Sequence, residues 1–328
     1  MKALTVDTSK KKPKMVMDEV SIPEPGDYDL LVKIEATALN RADLLQKAGK
    51  YPPPKGASPI LGLEMAGVVE SVGMEVTRYE PGDYVFGLLP GGGYAEYCVI
   101  HERMAMAVPD ALSFEESASI PETFITAFQA LKSLGEIKRN EHVLIHAGAS
   151  GVGTAAIQLA KMLFNCRVST TASQRKKLKK CTEIGADKVI NYKKEDFAEV
   201  IASEFGTETI DLIIDFVGSP YWEKNIELLG LDGRLVILSL LGGAELEKAS
   251  LVPILRKRLK IIGSTLRNRT DEYKFRLTSD FHTYAMELFE TGQIQPVIDS
   301  VYNWNDVEEA HKRMSKNKNI GKIVLTGM

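Results

Sequence analysis

From His142 to Leu266 the chain alternates six β-type runs, HVLIHA, RVSTT, KVINY, DLIIDFV, RLVILSL and LKIIGSTL, with helical stretches at intervals suited to βαβ crossovers. Right-handed crossovers put helices on both faces of a parallel sheet, so this rhythm dictates an open, doubly wound α/β unit. The preceding 120 or so residues behave differently. Short β runs (KALTV, DLLVKIEATAL, MAGVVESVG, DYVFGLL and YAEYCVI) are broken by turn clusters, which predicts an irregular β-rich domain. Pro52-Pro53-Pro54 and Pro90-Gly91-Gly92-Gly93 mark loops suited to the rim of a pocket, the first stiff and the second free to bend. Ser113 reads as an N-cap ahead of Glu115-Glu116, opening helical turns through FEESASI and PETFITAFQALKSL. Beyond about Asp271 the pattern is a helix around TYAMELFETG, a strand in QPVIDSVYNW, a helix in DVEEAHKRMSK and a last strand in GKIVLTGM. A tail that ends in a strand is expected to return to the β-rich domain. No internal repeat or low-complexity segment is visible.

With 328 residues, 44% hydrophobic and 26% charged, the chain can form two domains with substantial cores. Its net charge of -3 gives no global attraction to nucleic acid or anionic membranes. No stretch approaches the roughly 20 apolar residues of a membrane span. MKALTVDTSKKKPKM lacks the apolar core of a secretory signal. Its run Lys10-Lys11-Lys12-Pro13-Lys14 reads as a solvated hairpin tip rather than a nuclear address. Cys98, Cys166 and Cys181 are odd in number and without CxxC spacing, so a reducing, cytoplasmic setting is expected.

Residues 146–153, HAGASGVG, form the bend between the first Rossmann-type strand and an Ala-rich helix. Gly148 permits the turn, Gly151 and Gly153 allow close backbone approach and helix packing, and the N–H groups opening the helix point where a pyrophosphate can bind. Ser150 stands where the usual middle glycine would be. Its hydroxyl either bonds the pyrophosphate or is simply small enough for the turn. Glycine for packing alone is the competing reading of the whole bend, and its place on the first of six βα units favours the nucleotide. The position about 20 residues further on, where an NAD-specific fold places a carboxylate, is Ser173, followed by Gln174, Arg175, Lys176 and Lys177. A hydroxyl and a basic cluster suit a 2′-phosphate, so NADPH is expected rather than NADH. Lys179 and Lys180 read as a solvated helix face, and without interleaved aromatics the basic run does not suggest nucleic acid.

The chain resembles the medium-chain dehydrogenase/reductase superfamily, within it the zinc-free quinone oxidoreductases, and among these the tumour-suppressor-induced group. The likeness rests on ALNRADLLQ (38–46), GASPILGLEMAG (56–67), LLPGGGYAEY (88–97), IPETFITAFQAL (120–131), HAGASGVGTAAIQLA (146–160), INYKKEDF (190–197), SPYWEKN (219–225) and EAHKRMSKNKNIGKIVL (309–325), in order along nearly the whole length. The resemblance implies a Rossmann doubly wound parallel sheet inserted into a GroES-like, partly open β-barrel domain. The expected boundaries are 1–122 completed by 271–328 for the barrel and 123–270 for the NADP(H) domain, with the active site in the cleft between them. It also implies a homodimer joined through the segment KIIGSTL (260–266).

Where zinc members carry a Cys and a His, this chain has Asn40 and Leu63, so no metal is expected. His142 and His146 read as packing or turn residues, and His101, His282 and His311 as surface or helix residues. By the resemblance, Asn40 and Thr126 should lie at the nicotinamide, Ser150, Gly151 and Val152 at the pyrophosphate, and Ser173, Lys177 and Tyr192 at the adenosine phosphate. Gly218, Leu240 and Asn319 are further cofactor contacts taken from matched loops. Tyr51 and Asn40 are the expected catalytic residues, Tyr51 as the substrate-positioning tyrosine; its competing reading is an ordinary half-buried loop aromatic.

Without a Lewis acid, the expected chemistry is hydride transfer from NADPH to a quinone, a small-molecule acceptor that takes two electrons readily. The alternatives are an NADPH-dependent reductase of alkenals, enones or enoyl thioesters, and an NADPH-binding protein with little turnover.

Overall fold

The computed structural model describes residues 1–9 and 12–328, so Lys10 and Lys11 of the basic run lie outside the described residues. Two compact units emerge, Met1–Ile125 with Arg267–Met328, and Thr126–Leu266.

The first unit opens with the antiparallel pair β1 (Lys2–Asp7) and β2 (Lys14–Glu19). Its main sheet uses β3 (Asp29–Ala38), β4 (Glu64–Val72), β5 (Tyr84–Leu88), β6 (Tyr97–His101) and β7 (Ala105–Ala107). Strand β3 pairs antiparallel with both β4 and β6, and irregular register along β4 lets the sheet bend. A short helix α1 (Arg41–Lys47) follows β3 directly, capped by Asn40, whose N–H donates to Asp43 Oδ2 at 2.7 Å. Ser113 caps α2 (Phe114–Ser117), accepting from the Glu116 N–H at 3.2 Å, and α3 (Pro121–Phe128) continues into a wider helical turn over Gln129–Leu134.

The second unit is the expected parallel sheet, built from β8 (His142–Ile145), β9 (Arg167–Ala172), β10 (Lys188–Asn191), β11 (Ile210–Asp215), β12 (Leu229–Ile237) and β13 (Lys260–Gly263). Its order is β10-β9-β8-β11-β12-β13, with all neighbours parallel. The order reverses direction between β8 and β11, the switch point where such sheets bind nucleotides beyond their C-terminal strand ends. Helices α4 (Gly151–Phe164), α5 (Arg175–Glu183), α6 (Phe197–Phe205), α7 (Trp222–Leu228) and α8 (Val252–Lys257) connect the strands. A core of Leu144, Ile190, Phe197, Ile201, Ile213 and Leu235 holds α6 against the sheet.

The tail rejoins the first unit. Helix α9 (Asp271–Glu290) is much longer than the apolar TYAMELFETG window predicts, because Thr270 Oγ1 accepts from the Tyr273 N–H at 3.3 Å and Asp271 and Glu272 suit the positive end of the helix. Strand β14 (Ile298–Asn303), helix α10 (Val307–Ser315) and β15 (Lys322–Thr326) follow, and β15 pairs antiparallel with β3. Trp304, Val307, Met314 and Ile323 of the tail pack with Leu4, Leu39, Leu61 and Tyr94 in one core. His311 on α10 is buried there rather than at the surface, with Nε2 3.3 Å from the Tyr94 hydroxyl.

Candidate active site

In the Rossmann unit the bend after β8 is shaped by steric necessity. A Cβ on Gly148 would come within 1.9 Å of Thr170 Oγ1 on β9, and one on Gly153 within 2.4 Å of the Ala147 carbonyl oxygen. Both positions demand glycine, and Ala147 itself adopts a left-handed φ of 51° to make the turn. Ser150 is the N-cap of α4, its Oγ accepting from the Gly153 N–H at 3.0 Å. Its oxygen therefore has a structural task that the sequence reading missed, although a hydroxyl ahead of a helix is itself the signal for a cap. Helix geometry leaves the N–H groups of Gly151 and Val152 without intrahelical acceptors, free for an anion.

The other expected contacts of this unit follow successive strands: Ser173 after β9, Tyr192 after β10, Gly218 after β11 and Leu240 after β12. In a parallel sheet these loops leave by one edge, so the topology gathers them on the side of the bend. Lys177 lies on α5; further along that helix, Lys179 and Lys180 each pair with Glu183, at 3.7 and 2.7 Å, while Arg175 and Lys176 are exposed. Tyr192 is exposed and stands edge-on to Tyr221 at 6.5 Å. Gly218 has φ 87° and no room for a Cβ, which would meet the Gly243 carbonyl oxygen at 2.4 Å. Leu240 is exposed, and Thr126 on α3 keeps a buried Oγ1 with no partner. The unmet buried Thr126 hydroxyl and the unpaired N–H groups opening α4 fit a bound dinucleotide, while the glycines at 148, 153 and 218 are required by packing against the protein itself.

His142 and His146 are packing residues. His142 Nε2 lies 2.8 Å from Ser169 Oγ, and His146 lies between Thr171 and Asn225, at 3.1 and 2.8 Å. Burial holds the His142 imidazole down to about 4, and lowers that of His146.

In the barrel unit, Asn40 is bound from both ends of its amide. Nδ2 donates to Glu64 Oε1 at 2.7 Å and to the Ala38 carbonyl at 3.2 Å, while Oδ1 accepts from Lys322 Nζ at 2.7 Å. Lys322 also donates to Glu64 Oε1 at 2.6 Å and to the Leu39 carbonyl at 2.7 Å, and the Glu122 N–H donates to Glu64 Oε2 at 2.8 Å. Glu64 and Lys322 are buried. The network thus spends most of Asn40's hydrogen-bonding capacity, so the amide is fixed in orientation. Only one lone pair on Oδ1 remains for anything else.

This donor set does not fit a divalent cation. Leu63 has no lone pair and is 1% exposed, and the ammonium of Lys322 already lies against the Asn40 oxygen.

Asp43 and Glu122 complete a carboxylate cluster that the sequence reading did not single out. Burial raises the Asp43 carboxyl to about 6, against the pull of the Asn40 N–H and Lys322. Burial and the neighbouring Glu64 raise Glu122 to about 8. Glu122 is therefore largely protonated at neutral pH. Tyr51 follows α1, with its ring 5.4 Å from the Arg267 guanidinium carbon. Burial and then Glu122 raise its phenol, with Arg267 opposing, so it remains a donor at neutral pH. Asn319 stands in the loop before β15, its amide donating to the Gly321 carbonyl at 2.7 Å.

Residues 26–110 match the alcohol dehydrogenase GroES-like domain, and residues 151–291 match the zinc-binding dehydrogenase family. The chain is 30% identical to the human quinone oxidoreductase over 94% of its own length and 92% of that protein. The chain belongs to the medium-chain dehydrogenase/reductase superfamily. Among solved structures, an NAD-dependent alcohol dehydrogenase superposes with a TM-score of 0.86 at 30% identity, covering all of both chains. The Escherichia coli quinone oxidoreductase complexed with NADPH gives 0.83 at 28% identity over 95% of this chain and 96% of that one. The protein is thus an oxidoreductase of this superfamily, with a GroES-like domain joined to a Rossmann-like sheet.

Proposed function

We propose that this oxidoreductase passes hydride from NADPH to a quinone without a metal. The observation that carries the reading is the edge of the Rossmann sheet: a tight glycine turn after β8 that opens helix α4 with its first N–H groups unpaired, and a hydroxyl with basic side chains, rather than a carboxylate, after β9. A 2′-phosphate is accommodated by Ser173, Lys177 and Tyr192, and the pyrophosphate by the N–H groups of Gly151 and Val152 with Gly148, Ser150 and Gly153 shaping the approach. Gly218, Leu240 and Asn319 complete the cofactor contacts, and Thr126 Oγ1 offers its unmet hydroxyl to the carboxamide end. NADPH supplies the hydride when bound. The chain's own side chains orient the acceptor: Tyr51 presents its aromatic face and a phenol that stays protonated, and Asn40 is held rigid by Lys322 and Glu64.

The active form we propose is a homodimer in the cytoplasm. Strand β13 has a neighbour on one side only, and beside it Leu251, Val252 and Leu255 are exposed, which suits pairing with a second copy. No helix among the described residues is long and apolar enough to cross a membrane, and all three cysteines are buried and unpaired.

Oxidation of NADPH by a panel of quinones, alkenals, enones and an enoyl thioester tests the reading. Rates with quinones that exceed all others support it. Preference for the alkenes reassigns the acceptor, and no turnover with any of them leaves only an NADPH-binding protein.

A further inference from the structure

Within the barrel unit lies a cavity of about 790 Å³ whose wall is largely apolar, with Ile60, Leu88, Pro90 and Met104 among its lining residues. Arg267 also lines it, although the residue is only 7% exposed. Its Nε and Nη2 both donate to the Pro90 carbonyl, at 2.9 and 2.7 Å, and the guanidinium carbon stands 5.4 Å from the Tyr51 ring centroid. Nη1 is buried and has no partner. Two nitrogens suffice to tie the Pro90 loop, so the structural task of this arginine leaves its third nitrogen unexplained.

A buried charged donor without an acceptor is costly, and its hydrogens await an oxygen. The charges nearby do not supply one. Glu122, which faces both Tyr51 and Arg267, is mostly protonated at neutral pH, and Asp43, whose charge also reaches Arg267, is engaged by the Asn40 and Gly62 N–H groups and the Tyr94 hydroxyl. Of the other carboxylates on the cavity wall, Asp271 pairs with Lys274 at 2.8 Å, Asp29 accepts from the Gly26 N–H at 3.1 Å, and Glu24 makes no hydrogen bond to Nη1.

We propose that Arg267 is the acceptor anchor: its Nη1–H groups hold one oxygen of an aromatic acceptor in the cavity, and bind that oxygen more strongly once it carries negative charge. The inference rests on the reductase reading above. The acceptor takes two electrons and one hydrogen from the reduced nicotinamide, which is oxidised. The electron pair ends on an acceptor oxygen held by Arg267, and one proton from water completes the hydroquinone. Charge-assisted hydrogen bonds are roughly twice as strong as neutral ones, so the anchor favours the reduced, anionic stage.

Benzoate, a redox-inert aromatic anion, probes the anchor without turnover. Ligand-observed NMR at pH 7 should detect benzoate binding to the wild-type protein, competitive with the quinone. Arg267→Gln should weaken benzoate and raise the quinone KM by about tenfold or more with NADPH affinity near wild type, its Tm falling by the loss of the Pro90 bonds, and Arg267→Lys should fall between. Absence of benzoate binding to the wild type, or a folded Arg267→Gln variant that binds benzoate and quinone as the wild type does, overturns the anchor. If the Gln variant does not fold, the Lys variant and the competition in wild-type protein decide, and non-competitive benzoate overturns it equally. Benzoate bound through Arg267 in a protein that reduces no quinone would keep the anchor and reject the quinone; quinone reduction indifferent to Arg267 would do the reverse.

Discussion

Asp43, Glu64 and Glu122 share one buried ammonium, that of Lys322, and three carboxylates cannot all stay ionised around a single cation. The raised value of Glu122, about 8, means that the folded state holds a proton that the unfolded state releases above its ordinary 4.5. Stability from this group is complete at low pH and is lost as pH rises through that window. Glu122→Gln should remove the loss, so its melting temperature should climb relative to the wild type from about pH 5 to pH 8. The gain at the upper end should be about 1–2 kcal/mol, after discounting for the part of Glu122 that faces the cavity. A constant difference across the range would show that Glu122 does not titrate there. Tyr51→Phe keeps the ring under Arg267 and removes only the phenol. Turnover with quinones should fall about tenfold or more while NADPH affinity holds, as stopped-flow and fluorescence titration can show together. Unchanged quinone kinetics would reduce Tyr51 to a packing residue.

At the scale of elements, the bend after β8 depends on a strand it does not follow. Gly148 is excluded from bearing a side chain by Thr170 on β9, so Gly148→Ala should push the bend off β9 and abolish most NADPH binding. The double variant Gly148→Ala with Thr170→Ala, which removes the nearest clashing oxygen, should recover part of it. Equal affinity of the single variant and the wild type, by calorimetry, would mean that the turn yields more easily than its geometry implies. The glycines and the six parallel strands with their helical crossovers were legible because strand runs, caps and turn residues are local signals. The length of α9 was not, since charged and polar residues in DEYKFRLTSDFH dilute the apolar stripe that Leu277 and Phe281 begin, and the start is set by the Thr270 cap. Nor was the capping oxygen of Ser150 recognised, because the same hydroxyl also suggests a phosphate contact.

For the molecule as a whole, the decisive contacts run between residues far apart in the chain. Lys322 lies 258 positions from Glu64 and 282 from Asn40, yet the three form one buried unit that ties β15 to β3 and β4. No local pattern announces such a network, so the sequence pointed to Asn40 and passed over its partners. Lys322→Met should cost about 3–5 kcal/mol, because it strands the Glu64 carboxylate in the interior, and denaturant unfolding can measure the loss. A loss below about 1 kcal/mol would show that water or a proton satisfies Glu64 instead. The exposed edge at β13 bears on assembly, and sedimentation should return twice the chain mass; a monomer at micromolar concentration would reject the proposed dimer. Which nucleotide the Rossmann edge prefers decides the function of the whole molecule. Paired titrations of the purified protein with NADPH and NADH should give a Kd at least about tenfold lower for NADPH, the yield of one charge-assisted phosphate contact. Equal affinities, tighter NADH, or no binding of either would contradict the NADPH assignment.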